Sequence, residues 1–374
     1  MSKLKVITIV GTRPELIRLA CTIKKLDKFC DHILVHTGQN YDYELNEVFF
    51  RNLSIRKPDY FLEMAGSSAM ESIGSMLISI DKVLKKEKPR AALILGDTNS
   101  ALSAIALKRN QIPIFHMEAG NRCFDMRVPE EINRKIVDHI SDINLTYSDI
   151  ARECLIKEGF PSNLIIKSGS PLFEVINYFN KSINKSDILK KLKIKKNNYI
   201  VLSFHREENI ENRTNFFKII EIIDKVSSHF SCPIIFSTHP RTMKKLLSEK
   251  IEFNKNVNII KPLGFFDYIF LQKNSKIVLS DSGSISEESS ILNIKALNIR
   301  ECHERHESFE EAPVIMTGLC VNRIIDSINI LLTKDNQKPL ILPVSDYMTP
   351  NVSEKVLRII LSYTGYIERE VWKK

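Results

Sequence analysis

Two short, continuously apolar runs, residues 91–95 and 112–115, limit what this chain can fold into. A strand that is covered on both faces of a sheet loses the alternation of polar and apolar residues and becomes uniformly hydrophobic. Further strand candidates, with amphipathic segments such as residues 72–84 between them, are residues 5–10, 33–36, 143–145 and 164–167. Strands that alternate with helices predict βαβ units, so we expect an α/β fold with a parallel sheet and helices on both faces.

The same alternation occurs a second time. A polar stretch rich in lysine and asparagine, residues 181–198, interrupts the pattern. The alternation then restarts with strand candidates at residues 199–203, 233–237, 257–260, 277–279 and 296–299. The chain has 374 residues, more than one hydrophobic core commonly serves. We therefore predict two Rossmann-like domains, residues 1–180 and 181–350, with a C-terminal helix in residues 351–374 that returns to the first domain.

Composition argues against several classes of function. The formal net charge of +9 suits an anionic substrate, but the lysines lie in mixed runs without interleaved aromatics, so we expect no nucleic-acid partner. No run approaches ~18 apolar residues and the chain starts directly with a strand, so we expect neither a membrane span nor a signal peptide. Seven scattered cysteines without C-x-x-C spacing argue against a disulfide framework. We expect a cytoplasmic protein.

Carboxylates follow the two apolar runs named first. Asp97 and Glu118 come just after them, and Glu130 begins the next helical segment. Ligands of open α/β sheets bind outside the carboxyl ends of the strands, so three acids are predicted at one crevice. Such acids suit general acid/base chemistry, and Arg134, one turn after Glu130, is placed to hold a carboxylate or an anion. Taken singly, an acid at such a position is more often a helix cap.

A serine-rich turn after a predicted strand, Ser282-Gly283-Ser284, is a candidate phosphate site. Small residues that lead from a strand into a helix present unpaired backbone N–H groups and hydroxyls. Glu288, one turn into that helix, is placed to accept both hydroxyls of a ribose. The alternative interpretation is a serine N-cap followed by first-turn acids, and this stretch alone supports both equally.

Basic groups follow the other predicted strands of the second half, namely His205, Arg206, His239 and Arg305. At successive strand ends they suggest a cationic lining for a diphosphate, although a single strand-end histidine is more often a cap. In the first half, Gly11 opens a strand–helix turn with Arg13 and Arg18 placed near an anion. That turn is not G-x-G-x-x-G, and no cluster has metal-ligand spacing or a D-x-D pattern, so we expect neither a dinucleotide cofactor nor a metal.

At these residues the chain resembles the non-hydrolysing UDP-N-acetylglucosamine 2-epimerase family. The matching motifs run in the family's order over nearly the whole chain: GTRPE (11–15), TGQ (37–39), GDT (96–98), H-x-EAG-x-R (116–122), PEE-x-NR (129–134), HR-x-EN (205–209), DSG-x-I-x-EE (281–288) and ER-x-E (304–307). Residues 40–50, 237–242 and 361–364 resemble the branch that acts on UDP-2-acetamido-2,6-dideoxy-L-hexoses and makes UDP-N-acetyl-L-fucosamine.

The resemblance implies a glycosyltransferase-B-like architecture, with two Rossmann-like domains, UDP in an interdomain active-site cleft, a homodimer and no nicotinamide cofactor. It implies inversion at C2 of a UDP-2-acetamido sugar for surface polysaccharide, through elimination of UDP to a 2-acetamidoglycal and its re-addition. By motif position, the acid/base candidates are Asp97, Glu118, Glu130 and His205. With the basic residues above, the candidates for binding substrate are Arg13, Arg18, Arg134, Arg206, His239, Ser282, Gly283, Ser284, Glu288 and Arg305.

The chain departs from the family pattern at a few positions. Ser284 replaces a usual second glycine and His306 a usual proline, so we expect a different loop geometry near the diphosphate. Some bacterial members have a second, regulatory UDP-sugar site; Gln39 fits it, but Asp42 and residues 65–67 do not, so we expect no allosteric activation by substrate. A glycosyltransferase of the same architecture, a non-catalytic nucleotide-sugar sensor and a hydrolysing epimerase remain open alternatives.

Overall fold

The computed structural model describes residues 3–39, 49–62, 68–301, 303–333 and 342–374, apart from the side chains of residues 207 and 208. The chain forms two compact units, Met1–Tyr178 with Ser345–Lys374, and Phe179–Val344. The sequence pattern places the corresponding boundaries at residues 180 and 350.

Each unit contains one parallel sheet. The described strands of the first unit are β1 (Lys5–Val10), β2 (Asp31–His36), β3 (Tyr60–Phe61), β4 (Ala91–Leu95), β5 (Ile114–Ala119), β6 (Ile143–Thr146) and β7 (Ile165–Lys167). Their order across the sheet is β3-β2-β1-β4-β5-β6-β7. Those of the second unit are β8 (Ile200–Phe204), β9 (Ile234–Thr238), β10 (Val257–Ile260), β11 (Ile277–Ser280), β12 (Ala296–Asn298) and β13 (Ile315–Met316). Their order is β10-β9-β8-β11-β12-β13.

Helices connect the strands. In chain order, the described helices are α1 (Arg13–Phe29), α2 (Ala69–Glu87), α3 (Ala104–Arg109), α4 (Pro129–Ile140), α5 (Asp149–Lys157), α6 (Leu172–Tyr178), α7 (Asn180–Asn184), α8 (Ile188–Lys191), α9 (Glu207–Ile210), α10 (Arg213–His229), α11 (Pro240–Ser248), α12 (Phe265–Lys273), α13 (Ile285–Leu292), α14 (Glu307–Glu311), α15 (Val321–Thr333) and α16 (Val352–Glu370). Short 3₁₀ turns are Asn99–Ser103, Ser162–Leu164 and Ser345–Tyr347. Within the described residues, no helix combines the length and apolar character needed to cross a bilayer.

The predicted α/β class, with two Rossmann-like units, is confirmed by the two sheets and their strand orders. In the first sheet, β1 pairs with β2 on one side and with β4 on the other. In the second, β8 likewise pairs with β9 and β11. Ligands of such folds bind at the carboxyl ends of the strands where the order reverses. Gly11 and Gly96 follow β1 and β4 there, and His205 and Asp281 follow β8 and β11.

The strands are buried where the apolar runs predict, and the differences between predicted and observed strand bounds have local causes. Every residue of β4 is buried, as the continuous run of residues 91–95 predicts. The run at 112–115 starts its strand later, at Ile114, and the strand continues through polar residues to Ala119 because pairing with both neighbours buries them. Strands β3 and β13 were not predicted, because two residues are too short to show a period.

The C-terminal helix α16 packs against α1 in the first unit. It buries Val356 and Ile360, and Lys25 Nζ lies 3.0 Å from Glu354 Oε2. The helix ends at Glu370, within the predicted residues 351–374.

Candidate active site

Glu118 occupies a β-bulge near the carboxyl end of β5. The pairing register with β6 shifts between Met117 and Ala119, and Glu118 has a φ of 67°. This left-handed conformation is rare outside glycine and costs roughly 1–3 kcal/mol. Bulges redirect a side chain out of the regular alternation and are frequent next to active sites. The backbone strain at Glu118 therefore marks this carboxylate as a candidate functional group.

The bulge brings the Glu118 carboxylate to the end of β4. Its Oε2 lies 4.0 Å from the position that a Cβ on Gly96 would occupy, directly before Asp97. The Tyr147 hydroxyl donates a hydrogen bond of 3.3 Å to the same oxygen, and Arg18 Nη1 lies 3.9 Å from it. A cation and a hydroxyl donor therefore hold this acid in a defined orientation.

Asp97 is held by helix α4. Arg134 Nη2 donates to Asp97 Oδ2 over 2.5 Å, and Asn133 Nδ2 donates to the Asp97 carbonyl oxygen over 2.9 Å. Pro129 at the first position of α4 favours the start of this helix after the loop that follows β5. The structure therefore brings Asp97, Glu118 and Arg134 to one edge of the first sheet.

Glu131 was not among the predicted site residues. It is buried more deeply than the adjacent Glu130, which was. Glu131 is fully buried, lies 3.2 Å from Arg134 Nη1 and accepts the backbone N–H of Cys123. Glu130 lies in the first turn of α4 and is partly exposed. The carboxylates of Asp97 and Glu131 together thus hold the Arg134 guanidinium. The Glu130 side chain remains accessible to solvent.

The first strand–helix turn does not offer the anion site that its sequence suggests. The backbone N–H groups of Gly11 and Thr12 donate to Glu15 Oε2 at 2.5 and 3.0 Å, so the protein's own carboxylate fills the start of α1. A Cβ on Gly11 would overlap the hydroxyls of Ser100 and Thr37, so glycine is required there by packing rather than by a ligand. In this structure Glu15 therefore takes the position expected for a substrate anion, and anion binding by Arg13 and Arg18 stays a prediction.

Glu15 is a second acid that the sequence analysis missed. Burial raises the pKa of the Glu15 carboxyl to about 7. Hydrogen bonds from Thr98 and from the N–H groups of Gly11 and Thr12 lower the pKa but offset only part of this rise. The charge of Asp97 raises it further. The arginines predicted at this turn lie elsewhere: Arg18 faces Glu118, and the Arg13 guanidinium lies 5.4 Å from the centre of the Phe49 ring.

In the second unit, Asp281 orients His205. The carboxylate of Asp281, at the end of β11, lies 3.2 Å from His205 Nδ1 and accepts the backbone N–H groups of His205 and Arg206. Asn209 Nδ2 donates to it over 3.0 Å. Burial alone would raise the pKa of Asp281, but the charge of His205 and these hydrogen bonds lower it to about 2. Asp281 is thus ionised, and it leaves Nε2 of the half-exposed His205 as the nitrogen that faces away.

Arg206 lies beside the serine-rich turn. Its Nη2 is 3.3 Å from Glu304 Oε1, and Arg300 Nη1 is 3.2 Å from the other oxygen of Glu304. A Cβ on Gly283 would overlap Glu304 Oε1 and would lie 3.5 Å from Arg206 Nη2. The absence of a side chain at Gly283 therefore lets the turn approach this Arg206–Glu304 pair.

The hydroxyls of the turn form a chain that ends on Glu288. Ser282 Oγ lies 2.8 Å from Ser284 Oγ, which donates to Glu288 Oε1 over 2.8 Å, and Gln272 Nε2 donates to Glu288 Oε2 over 2.6 Å. The prediction of unpaired N–H groups at both serines is wrong, because Ser282 N donates to Ser280 Oγ and Ser284 N donates to Ser282 Oγ. Neighbouring serines supply acceptors that a glycine-rich turn lacks.

Two of the predicted basic groups have local roles that limit the expected cationic lining. His239 is the N-cap of α11, and its Nδ1 accepts the N–H of Arg241 over 3.3 Å, so this contact needs a neutral ring. Arg305 is buried, with Nη2 3.1 Å from Glu287 Oε2. The first is thus a helix cap and the second part of an interior ion pair.

Some expectations fall outside the described residues. Asp42 and residues 65–67, which bear on a regulatory site, lie there, as do residues 40–48 of the L-hexose branch pattern. Gln39 is described, and its Oε1 accepts the Ser100 hydroxyl over 2.9 Å. In the part of the chain that is described, no group of three His, Cys, Asp or Glu side chains is arranged to hold a metal ion.

The two units carry complementary chemistry. The first presents two acids, Asp97 and Glu118, each fixed by an arginine, which suits the transfer of a proton from carbon. The second presents an oriented imidazole and a guanidinium beside a turn of hydroxyls, which suits a phosphate ester.

Known proteins are similar to this chain in fold and in sequence. A family model described as UDP-N-acetylglucosamine 2-epimerase matches residues 24–361. The structure of the UDP-N-acetylglucosamine 2-epimerase of Rickettsia bellii is 52% identical with a TM-score of 0.93, and the match covers 100% of each chain. The Methanocaldococcus jannaschii UDP-GlcNAc 2-epimerase in complex with UDP-GlcNAc and UDP is 34% identical with a TM-score of 0.88, covering 96% of this chain and 99% of that one. The UDP-2,3-diacetamido-2,3-dideoxy-D-glucuronate 2-epimerase of Pseudomonas aeruginosa is 32% identical, covering 89% of this chain and 94% of the relative.

Proposed function

The chain belongs to the UDP-N-acetylglucosamine 2-epimerase family and is a 2-epimerase, an isomerase, and from this premise we propose that it inverts C2 of UDP-N-acetylglucosamine to give UDP-N-acetylmannosamine. The names of the Rickettsia and Methanocaldococcus relatives support this substrate. We propose that the product serves surface polysaccharide synthesis.

The proposed reaction eliminates UDP and adds it back. A carboxylate base removes the C2 proton, the electron pair of that bond forms the C1–C2 double bond of a 2-acetamidoglycal, and the C1–O bond breaks as UDP leaves. UDP then re-forms the C1–O bond while an acid delivers a proton to the opposite face of C2. Electrons and atoms balance within the sugar nucleotide, so the sequence of steps needs no hydride acceptor.

Glu118 on its strained bulge is the observation that carries this proposal. A weakly acidic C–H requires a base with a fixed position, and strain is retained where the surrounding structure enforces one geometry. Asp97, beside Gly96 and bound to Arg134, is the second proton-transfer group, and Glu130 is a third candidate from its place on α4. These acids act on C2 of the sugar.

The second unit is proposed to bind UDP and stabilise its departure. His205, oriented by Asp281, donates to or protonates the leaving diphosphate, and Arg206 neutralises its charge. The turn of Ser282, Gly283 and Ser284 receives the phosphates, and the Glu288 carboxylate exchanges its contacts with Ser284 and Gln272 for the ribose hydroxyls. Arg13, Arg18, His239 and Arg305 stay candidates for binding substrate from the sequence alone, since the contacts described above give each of them another partner.

The identity of the sugar is the part of the proposal for which a specific alternative exists. The Pseudomonas relative is named for a different UDP-diacetamido sugar, so membership of the family is compatible with more than one substituent pattern. Residues 237–242 and 361–364 resemble the branch that converts the 6-deoxy-L-talo to the L-fuco sugar, and this is the substrate to compare.

Incubation in deuterated water tests the proposal. The enzyme is given UDP-N-acetylglucosamine or, separately, UDP-2-acetamido-2,6-dideoxy-L-talose, and proton NMR follows C2. We expect a C2 epimer that retains UDP and carries deuterium at C2. We also expect the reaction to be faster with UDP-N-acetylglucosamine than with UDP-2-acetamido-2,6-dideoxy-L-talose. Release of free UDP together with a free N-acetylhexosamine contradicts it in favour of a hydrolysing epimerase. Transfer to an added glycosyl acceptor without C2 exchange contradicts it in favour of a glycosyltransferase.

We also propose that the enzyme acts in the cytoplasm as a homodimer. Scattered cysteines without paired spacing support a reducing compartment, and the family resemblance supports the dimer. Sedimentation at several protein concentrations tests the dimer, and fractionation of cells tests the location.

A further inference from the structure

Glu15 is a buried acid that the proposed chemistry does not use. It lies in the first turn of α1 and is only 3% exposed. Its Oε2 accepts the N–H groups of Gly11 and Thr12, which follow β1, at 2.5 and 3.0 Å. Its Oε1 accepts the hydroxyl of Thr98, which lies in the turn after β4, at 2.5 Å. One carboxylate therefore joins the turns that follow β1 and β4.

This link lies where the strand order of the first sheet reverses. Strands β1 and β4 are neighbours in the sheet, and ligands of open α/β sheets bind beyond the carboxyl ends of such strands. Thr98 directly follows Asp97. The charge of Asp97 is one of the causes that raise the pKa of Glu15, so the two carboxylates lie within electrostatic range of each other. Glu15 thus reaches the turn that carries Asp97 from the side of β1.

Helix α4 holds the same turn from the side of β5, the other neighbour of β4. Asn133 Nδ2 donates to the Asp97 carbonyl oxygen over 2.9 Å, and Arg134 pairs with the Asp97 carboxylate. A carboxylate has two oxygens and several lone pairs, so Glu15 can accept donors from two turns at once. The main chain at Asp97 is therefore fixed from both neighbouring strands, and removal of the Thr98 hydroxyl leaves it fixed from one.

We propose that Glu15 is a positioning residue that acts through the Thr98 hydroxyl to fix the main chain of Asp97 for proton transfer at C2. Both of its oxygens bind donors of the protein in the interior, so it acts without touching the substrate. Catalytic groups lose rate when they are displaced by about 1 Å, which is the reason for a second restraint on this turn. The inference rests on the proposed function because Asp97 is an acid/base group of that function.

Hydrogen exchange tests the link without substrate. Thr98→Val removes the hydroxyl and keeps the shape of the side chain, whereas Thr98→Ser keeps the hydroxyl. Thr22→Val is the matched control, because it removes a buried hydroxyl of α1 that has no hydrogen-bond partner among the described residues. The N–H of Gly96 donates to the Met117 carbonyl oxygen over 3.0 Å, so the exchange of this amide reports on the turn.

We expect amide exchange in residues 96–101, measured by mass spectrometry, to be at least about tenfold faster in T98V than in wild type. T98S and T22V should protect these amides like wild type. Equal protection in T98V and wild type overturns the proposal, whatever reaction the enzyme catalyses.

Kinetics test the positioning. We expect T98V to lower kcat and the rate of C2 exchange about 10- to 100-fold, as for a misplaced catalytic group, with KM changed less than about threefold. T98S should recover most of this loss, and T22V should match wild type. An unchanged kcat in T98V contradicts the inference, while a wild-type enzyme that exchanges no deuterium at C2 defeats the proposed function alone.

A double-mutant cycle separates positioning through Glu15 from a direct role of Thr98 at the substrate. If Thr98 acts as the link, its hydroxyl contributes nothing once the Glu15 carboxylate is gone. We therefore expect the kcat of the folded E15A/T98V variant to lie within about twofold of that of E15A. A further loss as large as that caused by T98V alone would contradict the inference.

Discussion

Asp281 lies 3.2 Å from His205 Nδ1 and also accepts the backbone N–H of His205, so one carboxylate fixes both the ring and the main chain of this residue. The hydrogen bonds come from the end of β8 and the acid from the end of β11, the two strands where the order of the second sheet reverses. The same sheet positions that generally bind ligands therefore hold an oriented imidazole.

Asp281→Asn should impair catalysis more than binding. The amide carries no charge and can offer an N–H toward Nδ1, so the ion pair that a protonated His205 ring makes with Asp281 is lost. We expect kcat to fall about 100-fold, the cost of a misplaced catalytic group, with a smaller rise in KM. Steady-state kinetics measure this. Asp326→Asn, on the exposed side of α15, is the control and should leave both constants unchanged.

Arg206→Ala should weaken UDP binding. A hydrogen bond to a charged group contributes about 1.5–3 kcal/mol, so the dissociation constant for UDP should rise about 10- to 100-fold. Titration calorimetry with UDP measures it, and Arg213→Ala, an exposed arginine at the start of α10, provides the comparison. Equal affinities of the two variants would show that Arg206 serves only its ion pair with Glu304.

Two glycine substitutions should change stability in opposite directions. A Cβ on Gly11 would overlap the Ser100 and Thr37 hydroxyls, whereas a Cβ on Gly74, inside α2, would meet nothing within 4 Å. We expect Gly11→Ala to lower the free energy of unfolding by about 1–3 kcal/mol through overpacking. Gly74→Ala should raise it by about 0.5–1 kcal/mol because alanine favours the helix. Urea unfolding compares the two, and a gain in stability at Gly11 would contradict the described packing.

Glu15 predicts a specific dependence of stability on pH. Its pKa is raised from 4.5 to about 7 in the folded protein, so between these values the folded state binds more protons than the unfolded state. Stability contributed by this group is therefore lost as the pH rises through that window, by at most about 1.4 kcal/mol per pH unit.

Glu15→Gln removes this titration. The free energy of unfolding of wild type relative to E15Q should decrease from pH 5 to pH 7 and then level off. Chemical denaturation at a series of pH values measures the difference, and Glu221→Gln, an exposed position on α10, should show no such trend. A difference that is constant or grows with pH would mean that Glu15 is ionised throughout.

The sequence predicts the sheets and the acids that follow them for the same physical reason. Buried parallel strands need continuous apolar runs, and residues after those runs lie at the carboxyl edge, which places Asp97 and Glu118 correctly on the first sheet. The bulge could not be predicted, because a one-residue shift in register leaves no trace in composition or period. Its effect, the placement of Glu118 against Gly96, is a property of tertiary pairing.

Other parts of the site had a weak signal or none. Glu15 stands three residues after Thr12, the spacing of a capping box, and this pattern could have indicated that the helix N-terminus is filled. Glu131 and Glu130 are adjacent acids, and only helix packing decides that Glu131 is the buried one. The hydroxyl chain from Ser282 to Glu288 depends on rotamers, which the sequence does not determine.

The most direct test of the account measures deuterium incorporation at C2 by Glu118→Gln and Asp97→Asn, alongside their UDP affinity. General acid/base groups contribute about 10²- to 10⁴-fold, so each variant should lose C2 exchange by that factor while binding UDP like wild type. Asp149→Asn, an exposed acid of α5, should exchange at the wild-type rate. C2 exchange that persists undiminished in both Glu118→Gln and Asp97→Asn would contradict the assignment of these carboxylates to the proton transfer.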